Sequence, residues 1–317
     1  MPDSLAQRLV VTGALGHIGS RFIRALPENR YADVLLVDNL VTQRYCSLFD
    51  LPAHVRYRFV EADICAADLE ALFAGADTVV HLAAITDATS SFGHRDAIMR
   101  VNVAATEQVA LACLAAGAHL VFPSTTSVYG TSEQVVDELC PESALQPQSP
   151  YAESKLEAER LLQRLSAERG LRVALLRLGT IVGVSAGMRF HTAVNKFAWQ
   201  ACTGQALTVW RTAMHQLRPY LEIEDAVRAL SFVIERQVAD QIPYNVVTAN
   251  ASVSEIIEML RRHIPDLHVE MVDSQIMNQL SFEVRADRFR RLGFTYERRL
   301  EQGVAETVRR LRHLRAD

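Results

Sequence analysis

Cysteine is scarce and scattered. The 317 residues hold five, Cys46, Cys65, Cys113, Cys140 and Cys202, and no two are spaced as a CxxC pair. That argues against a thiolate metal site or a dithiol redox centre and favours reduced thiols. His81, His94, His191 and His215 show no ligand spacing either, so no metal is expected. No run approaches the ~18 consecutive apolar residues of a membrane span. No charged-then-apolar leader precedes Arg8-Leu9-Val10-Val11-Thr12. Secretion and membrane insertion are therefore not expected, and the expected compartment is the cytoplasm. A formal net charge of -4 leaves no basic excess for nucleic acid. The local basic run Arg309-Arg310-Leu311-Arg312-His313-Leu314-Arg315 reads as the solvated face of a last helix. Internal repeats and low-complexity tracts are absent.

What is present is an ordinary globular composition, 49% hydrophobic and 22% charged. Short apolar runs alternate with helical patterns. Expected strands are Leu9–Val11, Val34–Val37, Tyr57–Val60, Thr78–Val80, His119–Phe122 and Val173–Leu176. Expected helices lie near Ile18–Leu26, Ala67–Phe73, Ala97–Ala115 and Tyr151–Arg169. This rhythm predicts an α/β fold, a doubly wound Rossmann-type parallel sheet covered on both faces. The texture becomes irregular beyond Gly183. A dinucleotide-binding domain over 1–180 and a smaller mixed α/β substrate lobe over 181–317 are expected. The stretch 219–248, with the apolar run Tyr244–Val247, is expected to return to the first domain.

The first strand runs into Thr12-Gly13-Ala14-Leu15-Gly16-His17-Ile18-Gly19 and then a helical pattern. Glycines there permit a tight turn and close approach of backbone N–H groups to a pyrophosphate, which faces the helix N-terminus. The second strand ends at Val37-Asp38-Asn39, and Asp38 lies about 20 residues after the glycine loop, where a carboxylate accepts hydrogen bonds from an adenosine ribose. Such a carboxylate repels a 2′-phosphate, which favours NAD over NADP, although Arg44 is near in sequence. Tyr151 and Lys155, at i and i+4, share a helix face. A neighbouring ammonium is expected to lower the tyrosine pKa and fit it for proton transfer near neutral pH. Upstream, Ser124-Thr125-Thr126-Ser127 places hydroxyls at the end of the fifth strand, where parallel sheets bind ligands.

Together these pieces resemble the extended branch of the short-chain dehydrogenase/reductase superfamily, and within it the NAD-dependent nucleotide-sugar epimerases and dehydratases. The matching residues are Gly13-x-x-Gly16-x-x-Gly19, Asp38-Asn39-Leu40, Asp63-Ile64, His81-Leu82-Ala83-Ala84, Asn102, Ser124 to Gly130, Tyr151-x-x-x-Lys155, Arg177 and Arg218 to Asp225. The resemblance implies a catalytic Thr125, Tyr151 as general base, and Lys155 holding the nicotinamide ribose. It implies that His17, Ile18, Asn39, Asp63, Ile64, Leu82, Ala83, Ala84, Asn102, Ser124 and Leu178 surround NAD. Thr86, Thr126 and Thr180 would face the sugar, and Arg218 its diphosphate. A homodimer is implied too, through the helices Ala97–Ala115 and Tyr151–Arg169, where Leu111, Leu114, Leu156, Leu161 and Leu162 suit either an interface or the core.

Departures narrow the reaction. The family's dehydratases carry an acid pair after the catalytic threonine and its decarboxylases a glutamate, whereas this chain has Thr126 and Ser127. Its fucose-type epimerases carry a Cys-His pair, which is missing here. Thr180 stands where the family has asparagine, and Arg211–Gln216 replaces a Gly-x-Gly. The reading that fits is an epimerase of a UDP-sugar acting at C4 through a transient ketone. The alternative is a nucleotide-sugar ketoreductase or dehydrogenase with net turnover of NAD(P). A non-catalytic cofactor sensor is the remaining possibility, against which Thr125, Tyr151 and Lys155 argue.

Overall fold

The computed structural model describes residues 7–86, 93–130, 135–273 and 281–313; Leu314 and Arg315 of the basic run lie outside them. The strands are β1 (Gln7–Thr12), β2 (Tyr31–Asp38), β3 (Tyr57–Glu61), β4 (Thr78–His81), β5 (His119–Thr125), β6 (Val135–Val136), β7 (Val173–Leu178), β8 (Thr180–Val182), β9 (Leu207–Trp210), β10 (Leu217–Glu222), β11 (Tyr244–Val246), β12 (Ala249–Ser252), β13 (Val269–Val272) and β14 (Glu283–Val284). The helices are α1 (His17–Phe22), α2 (Leu69–Phe73), α3 (Arg95–Met99), α4 (Ala105–Ala116), α5 (Pro150–Arg169), α6 (Ala193–Cys202), α7 (Ile223–Glu235), α8 (Val253–Arg261), α9 (Asp287–Arg291) and α10 (Leu300–Leu311).

Seven strands form one sheet in the order β11-β7-β5-β4-β1-β2-β3, every neighbouring pair parallel. Alternate residues feed two cores. Leu9, Val11, Val34 and Leu36 pack on the face that also buries Phe22, Leu230 and Phe289. Val10, Leu35, Val37 and Phe122 pack on the other, with Val109, Leu162 and Leu165. Both faces are covered, so the strands carry unbroken apolar runs. The chain crosses from one side of β1 to the other between β3 and β4, which opens a crevice at the carboxyl ends.

The sheet's seventh strand is β11, paired with β7 through Tyr244↔Leu176 to Val246↔Leu178. Phe289 of α9 and Phe294 also join the first core, a return of the chain's end that composition did not signal. The small sheets β12-β10-β8 and β13-β9 pack with α6, α8 and α10 in a separate core. Leu161 and Leu162 are buried in the core of their own chain, and Leu156 in a smaller cluster with Tyr129 and Phe282. These three leucines are thereby committed within the chain.

The expected helix Ala97–Ala115 is interrupted. A π-helical turn, Arg100–Ala104, separates α3 from α4, and Asn102 lies within it. The run Arg95–Ala116 is long and apolar enough to cross a membrane by composition; here α4 packs on α2 and α5 with Val109, Ala110 and Cys113 buried. α5 is delimited by its sequence. The Ser149 hydroxyl accepts from Ala152 N at 3.2 Å, Pro150 opens the first turn, and Gly170 closes it in the left-handed region at φ 73°.

Glu222 ends β10 and caps α7, accepting from Glu224 N at 2.7 Å. It is 2% exposed, and burial pushes its carboxyl up to about 7, against the pull of the Glu224 N–H and of Arg298. The folded value lies above the unfolded one, so the group's stabilising contribution is present at low pH and is lost as pH rises through 7. Glu222→Gln keeps an acceptor without the charge. It should raise the melting temperature relative to the parent at pH 8, by about 2–4 °C, and leave it unchanged at pH 4.5. An equal difference at both pH values in calorimetry would refute this.

Candidate active site

The crevice is a cavity of about 1200 Å³. Its floor is the carboxyl ends of β1, β2, β4, β5 and β7, and its roof comes from α6, β9 and β10. Of the residues singled out from the sequence, Gly13, Gly16, His17, Ile18, Gly19, Asp38, Asn39, Asp63, Ile64, Leu82, Ala83, Ala84, Thr86, Ser124, Thr125, Thr126, Tyr151, Lys155, Leu178, Thr180 and Arg218 all line it. Asn102 does not. Its Oδ1 accepts from Ile85 N at 2.9 Å, and its Nδ2 donates to Ile85 O at 2.9 Å and to Ser154 Oγ at 3.0 Å. Asn102 thus fixes the loop after β4 from behind and does not face the cavity.

At the dinucleotide end the glycine loop is packed to contact. Gly13 has φ +65°, and a Cβ there would lie 2.5 Å from Ala83 N. A Cβ on Gly19 would lie 2.6 Å from Ala14 O. Gly16 precedes α1 without a side-chain cap, which leaves first-turn N–H groups for an anion. Asp38 braces this loop: Oδ2 accepts from Leu15 N at 3.1 Å and Oδ1 from Leu40 N at 3.0 Å. Arg44 stands close enough for Asp38 to offset its charge. Side chains are excluded at Gly13 and Gly19, and the uncapped first turn of α1 borders the cavity, which fits a pyrophosphate.

A segment of the second lobe is seated on this loop. His17 Nε2 donates to Gly183 O at 2.9 Å, and burial lowers the imidazole to about 4, so the ring is neutral. Gly187 N donates to Ser20 Oγ at 2.8 Å. Arg189 then reaches across to donate to the Thr86 hydroxyl.

The reactive end is built by β5 and α5. Thr125 Oγ1 accepts from Ser127 N at 3.1 Å and acts on the Tyr151 phenol, whose pKa it lowers. Lys155 Nζ donates to Pro123 O at 2.9 Å and stands 4.4 Å from the Phe122 ring centroid. Burial lowers Lys155 to about 8, with Glu159 opposing. The expectation that Lys155 lowers the Tyr151 pKa is not met in this structure. Burial raises Tyr151, and the opposing influences are the Arg189 charge and the Thr125 hydrogen bond. The lysine is turned toward the strand carbonyl.

At the far end, Arg218 donates to Gln216 Oε1 at 3.2 Å and lies over the Phe282 ring. α6 begins at Thr192 without a side-chain cap. Lys196, in its second turn, donates to Thr208 Oγ1 at 3.2 Å, and Thr192, Ala193 and Lys196 line the cavity. Arg189, Lys196 and the start of α6 escaped sequence reasoning because no motif marks them. One signal was available for Lys196. Lys155 and Lys196 are the chain's only lysines among 33 lysines and arginines, and both face the cavity.

A parallel sheet with a glycine loop after β1, an acid after β2 and a Tyr-Lys pair after β5 defines an enzyme that uses a nicotinamide dinucleotide. More narrowly, the chain belongs to the NAD dependent epimerase/dehydratase family, whose model matches residues 9–247. It is 30% identical over 314 residues to the dTDP-glucose 4,6-dehydratase of Streptomyces griseus, covering 96% of this chain and 94% of that protein. It is 27% identical to a trifunctional UDP-glucose 4,6-dehydratase/UDP-4-keto-6-deoxy-D-glucose 3,5-epimerase/UDP-4-keto-L-rhamnose-reductase of Arabidopsis thaliana, covering 97% of this chain. The chain spans about half (47%) of that relative's length. Among solved structures, MoeE5 in complex with UDP-glucuronic acid and NAD is 28% identical, with a TM-score of 0.82 over 96% of this chain and 99% of that one. The UDP-glucuronic acid 4-epimerase of Bacillus cereus, in complex with UDP-glucuronic acid and NAD, is 25% identical, with a TM-score of 0.86 over 97% and 99%. NAD is the cofactor of this family and of these neighbours, and nucleotide sugars are their substrates.

Proposed function

We propose that this protein is an NAD-dependent 4-epimerase of a UDP-sugar, with a sugar carrying a carboxylate as the favoured substrate. The observation that carries the reading is the distribution of acids. Among the described residues, the cavity's only carboxylates are Asp38 and Asp63, at the dinucleotide end. Around Tyr151 there are hydroxyls and Arg189, but no carboxyl group able to remove water from a sugar carbon. Dehydration, the activity of the Streptomyces relative, is thereby disfavoured.

Bound NAD supplies the acceptor and donor of hydride at the sugar carbon. Tyr151 takes the proton of the C4 hydroxyl and returns it after the ketone has turned its other face. Thr125 orients that oxygen, and Lys155 remains protonated below its value of about 8. Arg218, Lys196 and the uncapped start of α6 hold the diphosphate, a task that suits a planar guanidinium and free helix N–H groups. Arg189 acts on Tyr151 and bonds Thr86, so a sugar carboxylate placed there meets a cation and hydroxyls. Both solved relatives are described with UDP-glucuronic acid.

The test is incubation of the purified protein with UDP-glucuronic acid, UDP-glucose and dTDP-glucose, with products separated by chromatography and weighed. A new peak of unchanged mass from UDP-glucuronic acid is the expected result. Loss of water would establish a dehydratase instead. A change of two hydrogens with accumulation of free NADH would establish the one-way oxidoreductase.

A further inference from the structure

Beneath the hydroxyl segment lies a buried charged network that the reaction outlined above does not use. Glu159, on α5 one turn after Lys155, is 1% exposed, and Arg177 on β7 is 4% exposed. The two are joined in a fork: Arg177 Nε donates to both Glu159 oxygens at 3.1 Å, and Nη2 to Oε2 at 2.7 Å. The same carboxylate accepts from the Ser124 hydroxyl. Arg177 Nη1 donates to the Tyr129 hydroxyl at 2.9 Å, and its guanidinium stands 5.0 Å from that ring's centroid. Tyr129 OH is within 3.0 Å of Asn245 Oδ1 on β11. The pair therefore grips both ends of the segment 124–129, and Thr125, which acts on Tyr151, is the neighbour of the gripped Ser124.

We propose that Glu159 is the positioning residue of the Tyr151–Lys155 pair: braced by Arg177, its carboxylate fixes the Thr125 segment and supplies the countercharge that keeps Lys155 an ammonium. Burial of two ions together is expensive and stabilises a fold weakly compared with apolar packing, so a forked pair retained against the reactive groups calls for a role there. Few charges compete for Lys155. Tyr151 and Glu159 share its helix. His81, on β4, is held neutral by burial, its value lowered to about 3, between Thr12 Oγ1 at 2.7 Å and Thr106 Oγ1 at 3.1 Å. From β5 the lysine meets the Pro123 carbonyl and the Phe122 ring, and Arg177 on β7 is engaged by Glu159. Glu159 is the anion that raises the lysine's proton affinity against burial.

This proposal rests on the Tyr-Lys chemistry of the preceding reading, but its first readout needs no substrate. With only two lysines in the chain, protein grown on lysine labelled with carbon-13 at Cε gives one resonance for Lys155 and one for Lys196, assigned with Lys196→Arg. In the wild type without added substrate, the Lys155 resonance should titrate near pH 8. In Glu159→Gln its transition should move to lower pH by about one unit or more, while Lys196 does not move. Glu159→Asp, which keeps the charge but withdraws it from Ser124, should leave the Lys155 transition in place. With the substrate found by the panel above, it should lower kcat at least tenfold with KM changed less than twofold. An unmoved Lys155 transition in Glu159→Gln overturns the electrostatic half. An unchanged kcat in Glu159→Asp, or a loss confined to KM, overturns the positioning half. Should Glu159→Gln fail to fold, the kcat and KM of Glu159→Asp decide the proposal. Absence of turnover on every nucleotide sugar counts against the epimerase reading and leaves the titration readable.

Discussion

Replacing Tyr151 with phenylalanine should abolish turnover while leaving NAD bound, with kcat lower by about 10²–10⁴-fold. The phenol is the one polar group of this side chain, which lines the cavity together with Thr125. The ring is half-buried at the start of α5 and keeps its place without the hydroxyl. What is lost structurally is one hydrogen bond, about 1 kcal/mol. What is lost chemically is the group that moves the substrate's proton, for which phenylalanine offers no substitute. Cofactor content read by absorbance, the melting temperature and the initial rate separate the two losses. A variant within threefold of the parent rate would remove Tyr151 from proton transfer and transfer the task to Thr125.

The second large effect is expected at Gly13. Gly13→Ala should deprive the protein of bound NAD and destabilise it by at least ~2 kcal/mol, the sum of left-handed strain and overpacking. The alanine methyl would lie 2.5 Å from Ala83 N and 2.6 Å from Leu82 C, both backbone atoms. Neither side can yield easily. Gly13 N is bonded to Val37 O at 2.8 Å, and Leu82 N to Thr12 O at 2.9 Å, so relief would tear β1 from β2 or β4 at the point where the pyrophosphate is expected. Gly117→Ala provides the control. It has nearly the same φ, +67°, with nothing within 4 Å of the added carbon, and should cost about 1 kcal/mol with NAD retention intact. Equal behaviour of the two variants in calorimetry and cofactor analysis would show that backbone strain alone, not contact with Ala83, governs Gly13.

These two positions illustrate what could be read without coordinates. Gly13 and Asp38 act within a single strand–loop–helix–strand unit, and Tyr151 and Lys155 within one helical turn, so chemistry and spacing coincide along the chain. The inner strands of the sheet were legible for a similar reason, since a strand covered on both faces is dominated by apolar residues. Asn102 was assigned to the cofactor's surroundings, but the π-helical turn that carries it directs its amide to Ile85, and nothing in the sequence marks a helix that widens for one turn. The electrostatics of Tyr151 were misjudged because i, i+4 spacing places two side chains on one face without fixing where their ends point. Arg189 and Glu159 were missed on different grounds. Arg189 lies in an irregular stretch and meets Thr86 and Tyr151 only through tertiary folding, while Glu159 looks like any acid on an amphipathic helix until Arg177 is seen opposite it.

The strand β11 bears on how this chain can be divided or synthesised. Its partner β7 is complete at residue 178, yet β11 begins only at residue 244, after the two helices α6 and α7 and three short strands have been laid down. A nascent protein, or a fragment ended near residue 180, would present the outer row of β7 peptide groups to any passing strand, the situation that invites aggregation. The cofactor half and the sugar half are thus functional regions rather than separable modules, and a library of fusions or truncations would do better to keep residues up to Phe294 together.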